Sequence, residues 1–443
     1  MAGSPSWIDA AERVWDGGGL TANWTESGNW SRGGAAVAGD DLNFPAGAAR
    51  LSNNNNFTAG TVFNRLTYSG AGYTASGNSI ELNAGIIVSH GVGNTVFSLP
   101  LTLTSNQTFN VTQAGASLLL NGAVSLGSQT LIFDGAGQVL ALKNISSGRS
   151  GPPLFRQGSV RKQGSGTLWI PGDATYAAPT TVNGGVLRVD GSLSNSTVTV
   201  NAGGTVSGSG KIGELIANSG GAISPGDTSP GLLESLGDAT FSAGSTFVVR
   251  LNGVNAGANY DQLRVQGNVT LGGTLSVSAG FVAAVGDRFT IIQNDGTNAV
   301  AGTFAGMPAG TIFMVNGRPF RISYGSRLGG IIGPLVNDVT LEAMPGLSVW
   351  DGGGGLNKFW SQPLNWAGDV LPMPGDDIQF ANPGSVTLTT VNDFPAGRVF
   401  GSIIFAGGKV RVEGANVAAF AGSLQMAQPS DVEVAMPMTL AGG

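Results

Sequence analysis

The 443-residue sequence contains no cysteine, a single histidine at position 90 and few charged residues. Without cysteine the chain can form neither a disulfide nor a thiolate metal site. Charged residues make up 11% of the chain, and the formal net charge is −6. Because phosphate binding needs clustered lysine and arginine, we expect no nucleic-acid partner. The sequence also lacks a run of about 18 apolar residues, so we predict no transmembrane helix.

Glycine and hydrophobic residues are abundant and follow the pattern of short strands. The chain has 73 glycines, and 41% of its residues are hydrophobic, which is enough to bury a core. Thr197–Val200 and Thr274–Ser278 alternate apolar with small polar residues, which is the period of a half-buried strand. Gly-Gly, Asn-Gly and Gly-Asp pairs between such segments indicate turns. We therefore predict an all-β fold in which α-helix is nearly absent.

A long segment near the start of the sequence recurs near its end. Val14–Leu20 (VWDGGGL) is matched by Val349–Leu356 (VWDGGGGL), and later landmarks follow in the same order. Residues 347–443 thus copy residues 12–106, and we call these segments the second head and the first head. The spacing predicts tandem units of about 335 residues, of which the chain contains one and part of the next. We expect both heads to adopt the same fold and the second to lie near residues 337–341.

Residues 158–189 carry a pattern of lysine, glycine and alternating apolar residues. It consists of K-x-G-x-G-T-L at residues 162–168, a Thr-Tyr pair, and T-x-V-x-x-G-x-L-x-V at residues 180–189. This pattern resembles the autotransporter-associated β-strand repeat, although Ala174 stands where that family has asparagine, and the resemblance continues to residue 341. The matching residues are Lys162, Gly164, Gly166, Thr167, Leu168, Thr175, Tyr176, Val182, Gly185, Leu187 and Val189. The resemblance implies a right-handed β-solenoid that is secreted or exposed at the bacterial cell surface.

The predicted architecture is an elongated β-solenoid, or β-helix, with Gly-rich turns. An open solenoid end exposes unpaired strand edges, so the head of the next unit is the expected cover. Repeated head-to-tail contacts of this kind would build a fibre. The predicted segments are a leader or linker (1–11), the first head with the first β section (12–157), a solenoid section with the autotransporter-associated repeat (158–240), a terminal β section (241–341), a linker (342–346) and the partial second unit (347–443).

Two sets of residues in the heads are candidates for ligand binding. The first set is aromatic: Trp15, Trp24, Trp30, Trp350, Trp360 and Trp366. Exposed indoles would stack on sugar rings and make each head a carbohydrate-binding module, whereas buried indoles would form the centre of a Gly-rich cap, which we favour. The second set is acidic and contains candidate calcium ligands: Asp40, Asp41, Asp376 and Asp377. Their spacing matches no standard calcium loop, and capping of turns is the alternative role.

The sequence gives little support for catalysis. A Ser-His-Asp triad would have to use His90, which lies among small residues, and no cluster of carboxylates indicates glycan cleavage. The one basic cluster, Arg156, Arg161 and Lys162, is interpreted as a solvated rim. We therefore predict a non-enzymatic structural or adhesive surface protein that needs no cofactor. Its expected partners are neighbouring units of the same protein, with surface glycans as the alternative.

Overall fold

The computed structural model describes residues 10–31, 34–141, 145–147, 158–326 and 337–441. Arg156 and most of the predicted leader lie outside these residues. Helical structure in the described chain is limited to 3₁₀ turns at Ser27–Asn29, Pro363–Asn365 and Ala367–Asp369. None of the helices described is long and apolar enough to cross a membrane. The predicted near-absence of α-helix is confirmed for this part of the chain.

The chain divides into two compact units. The first comprises Met1–Val277, Thr290–Ala309 and Tyr324–Val339, and the second comprises Ser278–Phe289, Gly310–Ser323 and Thr340–Gly443. The first head belongs to the first unit, and the second head belongs to the second unit. The segment boundaries given above follow sequence motifs and not contacts, and they stay predictions, as does the repeat length of about 335 residues.

The strands up to residue 162 are short because glycine-containing turns interrupt the chain every few residues. They are β1 (Glu12–Trp15), β2 (Trp30–Ser31), β3 (Asp41–Phe44), β4 (Ser52–Asn55), β5 (Thr61–Tyr68), β6 (Thr74–Gly77), β7 (Ile80–Val88), β8 (Val92–Phe97), β9 (Leu101–Leu103), β10 (Gln107–Val111), β11 (Gly115–Leu120), β12 (Val124–Ser125), β13 (Thr130–Gly135), β14 (Gln138–Ala141), β15 (Ile145–Ser146) and β16 (Ser159–Lys162). One parallel series runs from β3 through β5, β7, β10 and β13 to β16. A second runs from β4 through β6, β8 and β11 to β14.

β9, β12 and β15 form a third parallel series that begins beside β7, and three series are also found among the following strands. They are β17 (Thr167–Ile170), β18 (Thr180–Val182), β19 (Gly185–Val189), β20 (Ser192–Leu193), β21 (Val198–Val200), β22 (Gly204–Gly208), β23 (Lys211–Ile212), β24 (Leu215–Ala217), β25 (Ala222–Pro225), β26 (Leu232–Ser235), β27 (Ala239–Phe241), β28 (Thr246–Leu251), β29 (Gln262–Val265), β30 (Val269–Leu271), β31 (Thr274–Ala279), β32 (Arg288–Asn294), β33 (Ala301–Gly302), β34 (Ile312–Val315), β35 (Arg318–Ser326) and β36 (Asp338–Ala343). From β18 to β29 every third strand pairs in parallel, so each turn of the chain contributes three strands. This is the predicted β-solenoid; its right-handedness stays an expectation from the resemblance.

Alternation along each strand separates an apolar interior from a polar surface. Inward-facing residues of successive turns stack in register and are fully buried: Leu168, Leu187, Val206, Ile223 and Phe247. At the outer corners, the amide of Asn201 donates to Asn183, and that of Asn218 donates to Asn201, each at 2.8 Å. Backbone and side-chain hydrogen bonds therefore both run along the stack, from each turn to the next.

The second compact unit repeats the three-series arrangement on a smaller scale. Its remaining strands are β37 (Leu347–Trp350), β38 (Asp377–Phe380), β39 (Leu388–Val391), β40 (Val399–Phe400), β41 (Ile403–Phe405), β42 (Gly408–Glu413), β43 (Ala418–Phe420), β44 (Leu424–Met426), β45 (Ser430–Ala435) and β46 (Met438–Leu440). Parallel pairing links β37, β38, β41 and β44; β39, β42 and β45; and β40, β43 and β46. Within the same unit β34 and β35 form an antiparallel hairpin, with Ile312 opposite Arg321.

Candidate functional site in the heads and the repeat segment

The six candidate tryptophans are buried. Each side chain is at most 4% exposed; the six residues are Trp15, Trp24, Trp30, Trp350, Trp360 and Trp366. In each head a short strand, β1 or β37, ends on the first tryptophan of the cluster. A glycine-rich turn and a 3₁₀ turn then lead the chain back towards that tryptophan. The second and third indoles thus return to the interior beside the first. A Gly-rich segment with few large side chains gains most of its buried apolar area from such residues.

The two tryptophan clusters have the same internal geometry. Trp15 and Trp30 meet edge to face with ring centroids 5.1 Å apart, and their counterparts in the second head are 5.2 Å apart. Trp24 and Phe63 are also edge to face at 5.5 Å, and their counterparts are 5.7 Å apart. The two heads therefore share their core packing, as their common order of landmarks predicts.

A buried asparagine holds the glycine turn of each head in place. The Asn29 side chain accepts a hydrogen bond from the N–H of Gly19 at 2.9 Å and donates to the carbonyls of Thr21 and Asn23. Its counterpart Asn365 repeats this pattern on the equivalent backbone groups of the second head. Both asparagines are fully buried, so each one satisfies backbone groups that water cannot reach. In the sequence they are matched landmarks of the two heads, each directly before the third tryptophan, but sequence reasoning gave them no role.

The first acid of each candidate calcium pair caps a turn. Asp40 accepts a hydrogen bond from the N–H of Val37 at 2.9 Å, and Asp376 accepts one from the N–H of Met373 at 2.8 Å. Each carboxylate also bonds to an arginine, which is Arg13 for Asp40. Both aspartates are at most 5% exposed, so most of their oxygen capacity is already used inside the protein.

The second acid of each pair lies at the start of a strand and bonds to the next turn of the solenoid. Asp41 accepts from the Asn64 amide at 2.7 Å, and Asp377 accepts from the N–H of Ser402 at 2.5 Å. In the described part of the chain, no group of three or more histidine, aspartate or glutamate side chains is placed to hold a metal ion. The calcium assignment stays a prediction, and the geometry shows these acids acting as turn and strand caps.

A buried hydrogen bond of the second tryptophan is present in the first head and missing in the second. In the first head the Trp24 indole Nε1 donates to Asn53 Oδ1 at 2.8 Å, and both residues are at most 2% exposed. In the second head the equivalent residues are Trp360 and Thr390, since the backbone N–H of Trp360 bonds to Val391 as that of Trp24 bonds to Asn54. Among the described residues, neither Trp360 Nε1 nor Thr390 Oγ1 has a hydrogen-bond partner. The threonine side chain is too short to replace the asparagine amide.

The repeat segment buries a lysine that was expected to be solvated. Arg161 is exposed, but Lys162 is only 2% exposed, so the solvated-rim interpretation is wrong for Lys162. Its Nζ donates to the carbonyls of Gln163, Gly164 and Gly184, the last two at 3.0 and 3.4 Å. Burial lowers the pKa of Lys162 to about 8, against the smaller raising effect of the nearby Asp134 charge. The lysine joins two successive turns where their corners leave backbone carbonyls without strand partners.

Trp169 is the tryptophan in the described chain that stays partly accessible. It faces outward from β17, with Leu140 and Arg188 as its neighbours on the preceding and following turns. Its Nε1 donates to Asp190 at 2.8 Å, and the Arg188 guanidinium lies 4.4 Å from the ring centroid. Arg188 also bonds to Asp190 at 2.7 Å. This outward cluster was missed from sequence, although the alternation of T-L-W-I places Trp169 opposite the buried leucine.

The single histidine is held in the interior of the first head. His90 is 6% exposed, and its Nε2 lies 3.1 Å from Thr95 Oγ1. Nδ1 has no hydrogen-bond partner among the described residues. Burial lowers the pKa of His90, because the charged imidazolium would lose its hydration there.

The comparisons with known proteins agree with this geometry. Residues 160–189, which include Lys162 and strands β17 to β19, match the passenger-associated-transport-repeat family. The chain carries an autotransporter passenger repeat. The resemblance found in the sequence is thereby confirmed for this segment. Because passenger segments are exported, the chain is a secreted or cell-surface β-solenoid protein.

Two curated relatives share part of this passenger-type sequence. The Adhesin BmaC autotransporter of Brucella suis biovar 1 (strain 1330) is 33% identical over 171 residues, which are 37% of this chain and 5% of that protein. An extracellular serine protease of Serratia marcescens is 32% identical over 157 residues, which are 33% of this chain and 14% of that protein. The chain thus spans only a small part of the length of either relative.

Proposed function

We propose that the chain is a non-enzymatic scaffold and adhesive segment of a bacterial surface protein. The observation that supports this function best is the parallel stacking of three-strand turns, with apolar side chains inside and Ser, Thr and Asn outside. Each turn lengthens the stack by about 4.8 Å, so repeated turns of simple sequence can span a long distance and present a large surface. The name of the Brucella relative, an adhesin, agrees with this role.

Catalysis has no comparable support in the described residues. One relative is named a serine protease, but the region of similarity covers 14% of that protein. In this chain the single histidine is buried, and the hydroxyl beside it belongs to Thr95 in the interior of the head. A hydrolase needs its base within reach of substrate, and His90 is not accessible to one.

The carbohydrate-binding alternative gains nothing from the heads. Stacking on a sugar needs an exposed aromatic face, and the six head indoles are at most 4% exposed. Their assignment to glycan binding therefore stays a prediction. The Arg188 guanidinium lies over one face of the outward-facing Trp169, so that face is not free to stack on a sugar.

The proposed role is tested by adhesion and hydrolysis assays on the same purified chain. Beads coated with the folded chain should be retained on host-cell and extracellular-matrix surfaces more than beads coated with heat-unfolded chain. Incubation with casein or with a panel of polysaccharides should release neither peptides nor reducing sugar. Turnover that disappears in His90→Ala would contradict the non-enzymatic part of the proposal. Equal retention of folded and unfolded coats would contradict the adhesive part.

A further inference from the structure

The carboxylates of Asp40 and Asp376 occupy equivalent places in the two heads but bond to arginines from different sources. Asp40 bonds to Arg13, which lies on strand β1 of the same head, with Nε 2.8 Å from Oδ2. Asp376 bonds to Arg318, which lies on the β34–β35 hairpin and outside the second head. Both partners of this second pair belong to the second compact unit.

The Arg318–Asp376 pair is shielded from water and connects three segments of that unit. Arg318 is 2% exposed and Asp376 is 5% exposed. The guanidinium also donates to the carbonyl of Pro374 at 2.9 Å and lies 3.4 Å from that of Met344. Asp376 in turn accepts from the N–H of Gly346 at 2.9 Å. Since a buried charge without its partner is costly, the pair ties the hairpin, the linker and the head together.

A single position explains why the two heads differ. In the first head Arg13 lies opposite Leu42, and in the second head Ser348 occupies the same register position, opposite Ile378. Serine is too short to reach the carboxylate, so the second head has no arginine of its own at this place. Arg398 is nearby, but its guanidinium donates to the carbonyl of Pro372 and stacks on an aromatic ring.

We propose that the Asp376 carboxylate is a binding site, called the socket below, for Arg318 of the β34–β35 hairpin, which ends the preceding tandem repeat. The socket is open to this hairpin because the residue at position 348 has no guanidinium of its own to pair with Asp376. An arginine at this position, as in the first head, closes the socket from within. The partner that an open head fits is thus an arginine-bearing β-hairpin of the same protein. A second guanidinium beside the one buried carboxylate would leave a buried positive charge without a counter-charge, so a closed head disfavours such a hairpin. In the tandem scaffold proposed above, on which this proposal rests, the residue at position 348 thus decides whether a head accepts the hairpin of the preceding repeat.

The rule is tested in the full chain with Arg318→Ser, Ser348→Arg and the double variant, followed by hydrogen–deuterium exchange. Two regions are read separately: the hairpin at residues 310–321 and the acidic turn at residues 373–377. Arg318→Ser should speed exchange in both regions about tenfold or more, because it leaves Asp376 buried and unpaired. Ser348→Arg should speed exchange in the hairpin alone, because the new arginine takes the carboxylate. The double variant should restore slow exchange in the turn but not in the hairpin.

The matched control is Arg321→Ser on the same hairpin. Arg321 pairs with Glu342, and its side chain is 44% exposed, so its loss should leave both regions nearly unchanged. The proposal is overturned if Ser348→Arg leaves the hairpin as protected as in the wild type. It is also overturned if the double variant exchanges in the turn as fast as Arg318→Ser. Neither readout depends on adhesion, so the docking rule and the proposed function fail separately.

Discussion

The second head lacks the buried hydrogen bond that the second tryptophan makes in the first head, and restoring it should stabilise the second head. Trp360 Nε1 and Thr390 Oγ1 are both without a partner in the described chain, whereas Trp24 Nε1 donates to Asn53 at 2.8 Å. Thr390→Asn transplants the asparagine of the first head into the equivalent place. The new amide oxygen should then accept a hydrogen bond from the indole N–H of Trp360.

The expected gain follows from two favourable and two unfavourable contributions. A buried hydrogen bond contributes about 0.5–1.5 kcal/mol net, and relief of an unsatisfied buried donor contributes about 1–3 kcal/mol. Against this, the change removes a buried methyl group, worth about 0.8 kcal/mol, and replaces a β-branched residue by one of lower strand propensity, with a cost below about 1 kcal/mol. We expect Thr390→Asn to raise the free energy of unfolding by about 1 kcal/mol, which for a unit of this size raises Tm by about 2–4 °C.

Two measurements check this expectation, and the reverse change serves as a matched control. Thermal unfolding followed by circular dichroism gives the change in Tm. In ¹⁵N-labelled protein, the Trp360 indole N–H resonance should move downfield and exchange more slowly with solvent. Asn53→Thr should have the opposite effects on Trp24. If Thr390→Asn lowers Tm, or leaves the Trp360 indole resonance where it was, the reasoning about the missing bond is refuted.

Three further substitutions test other buried groups. Between pH 8 and about 10.5 the unfolded chain binds more protons at Lys162 than the folded chain, so the stability of wild type relative to Lys162→Met should increase with pH. Chemical denaturation of both proteins across this range measures the difference, and a constant difference would contradict the prediction. Burial lowers the pKa of His90 in the folded chain, so the unfolded chain binds a proton at higher pH than the folded chain does. The free energy of unfolding should therefore fall as pH drops below 6.5, and it should fall less steeply in His90→Gln. Equal slopes of unfolding free energy against pH in the two proteins would contradict this. A Cβ on Gly166 would lie 1.9 Å from the carbonyl oxygen of Gly137 on the neighbouring turn, so Gly166→Ala should cost about 3 kcal/mol. Gly91→Ala, where a Cβ meets nothing within 4 Å, is its control and should change stability by less than about 0.5 kcal/mol.

The strand content and the duplicated heads could be predicted because both are written in local patterns. Alternation in segments such as Val198–Val200 fixes which side chains face inward, whatever the neighbouring strands are. Because tryptophans and glycines follow in the same order in both heads, the two heads are expected to have the same geometry. Burial of the indoles is expected because a Gly-rich segment has few other side chains that can bury apolar area.

Features that depend on distant contacts could not be predicted. The burial of Lys162 is set by carbonyls on its own and the following turn, including that of Gly184, and a basic side chain among polar residues carries no sign of this. The Arg318–Asp376 pair joins residues 58 positions apart, and only a comparison of Arg13 with Ser348 hints that the second head needs an outside partner. Turns of unequal length also hid the three-strand repeat, because strand spacing along the sequence is irregular.

The central claim is that the passenger segment is a parallel stack in which successive turns lie one strand spacing apart. The chain has no cysteine, so spin labels can be attached at introduced cysteine pairs without background. Arg161, Thr181, Thr199, Ile216, Thr240 and Thr270 lie on successive turns in one register series. Electron–electron double resonance should therefore give about 19 Å between labels at 181 and 270 and about 24 Å between labels at 161 and 270, increasing by about 4.8 Å per turn. Distances that do not increase steadily with the number of turns would contradict the stacked solenoid.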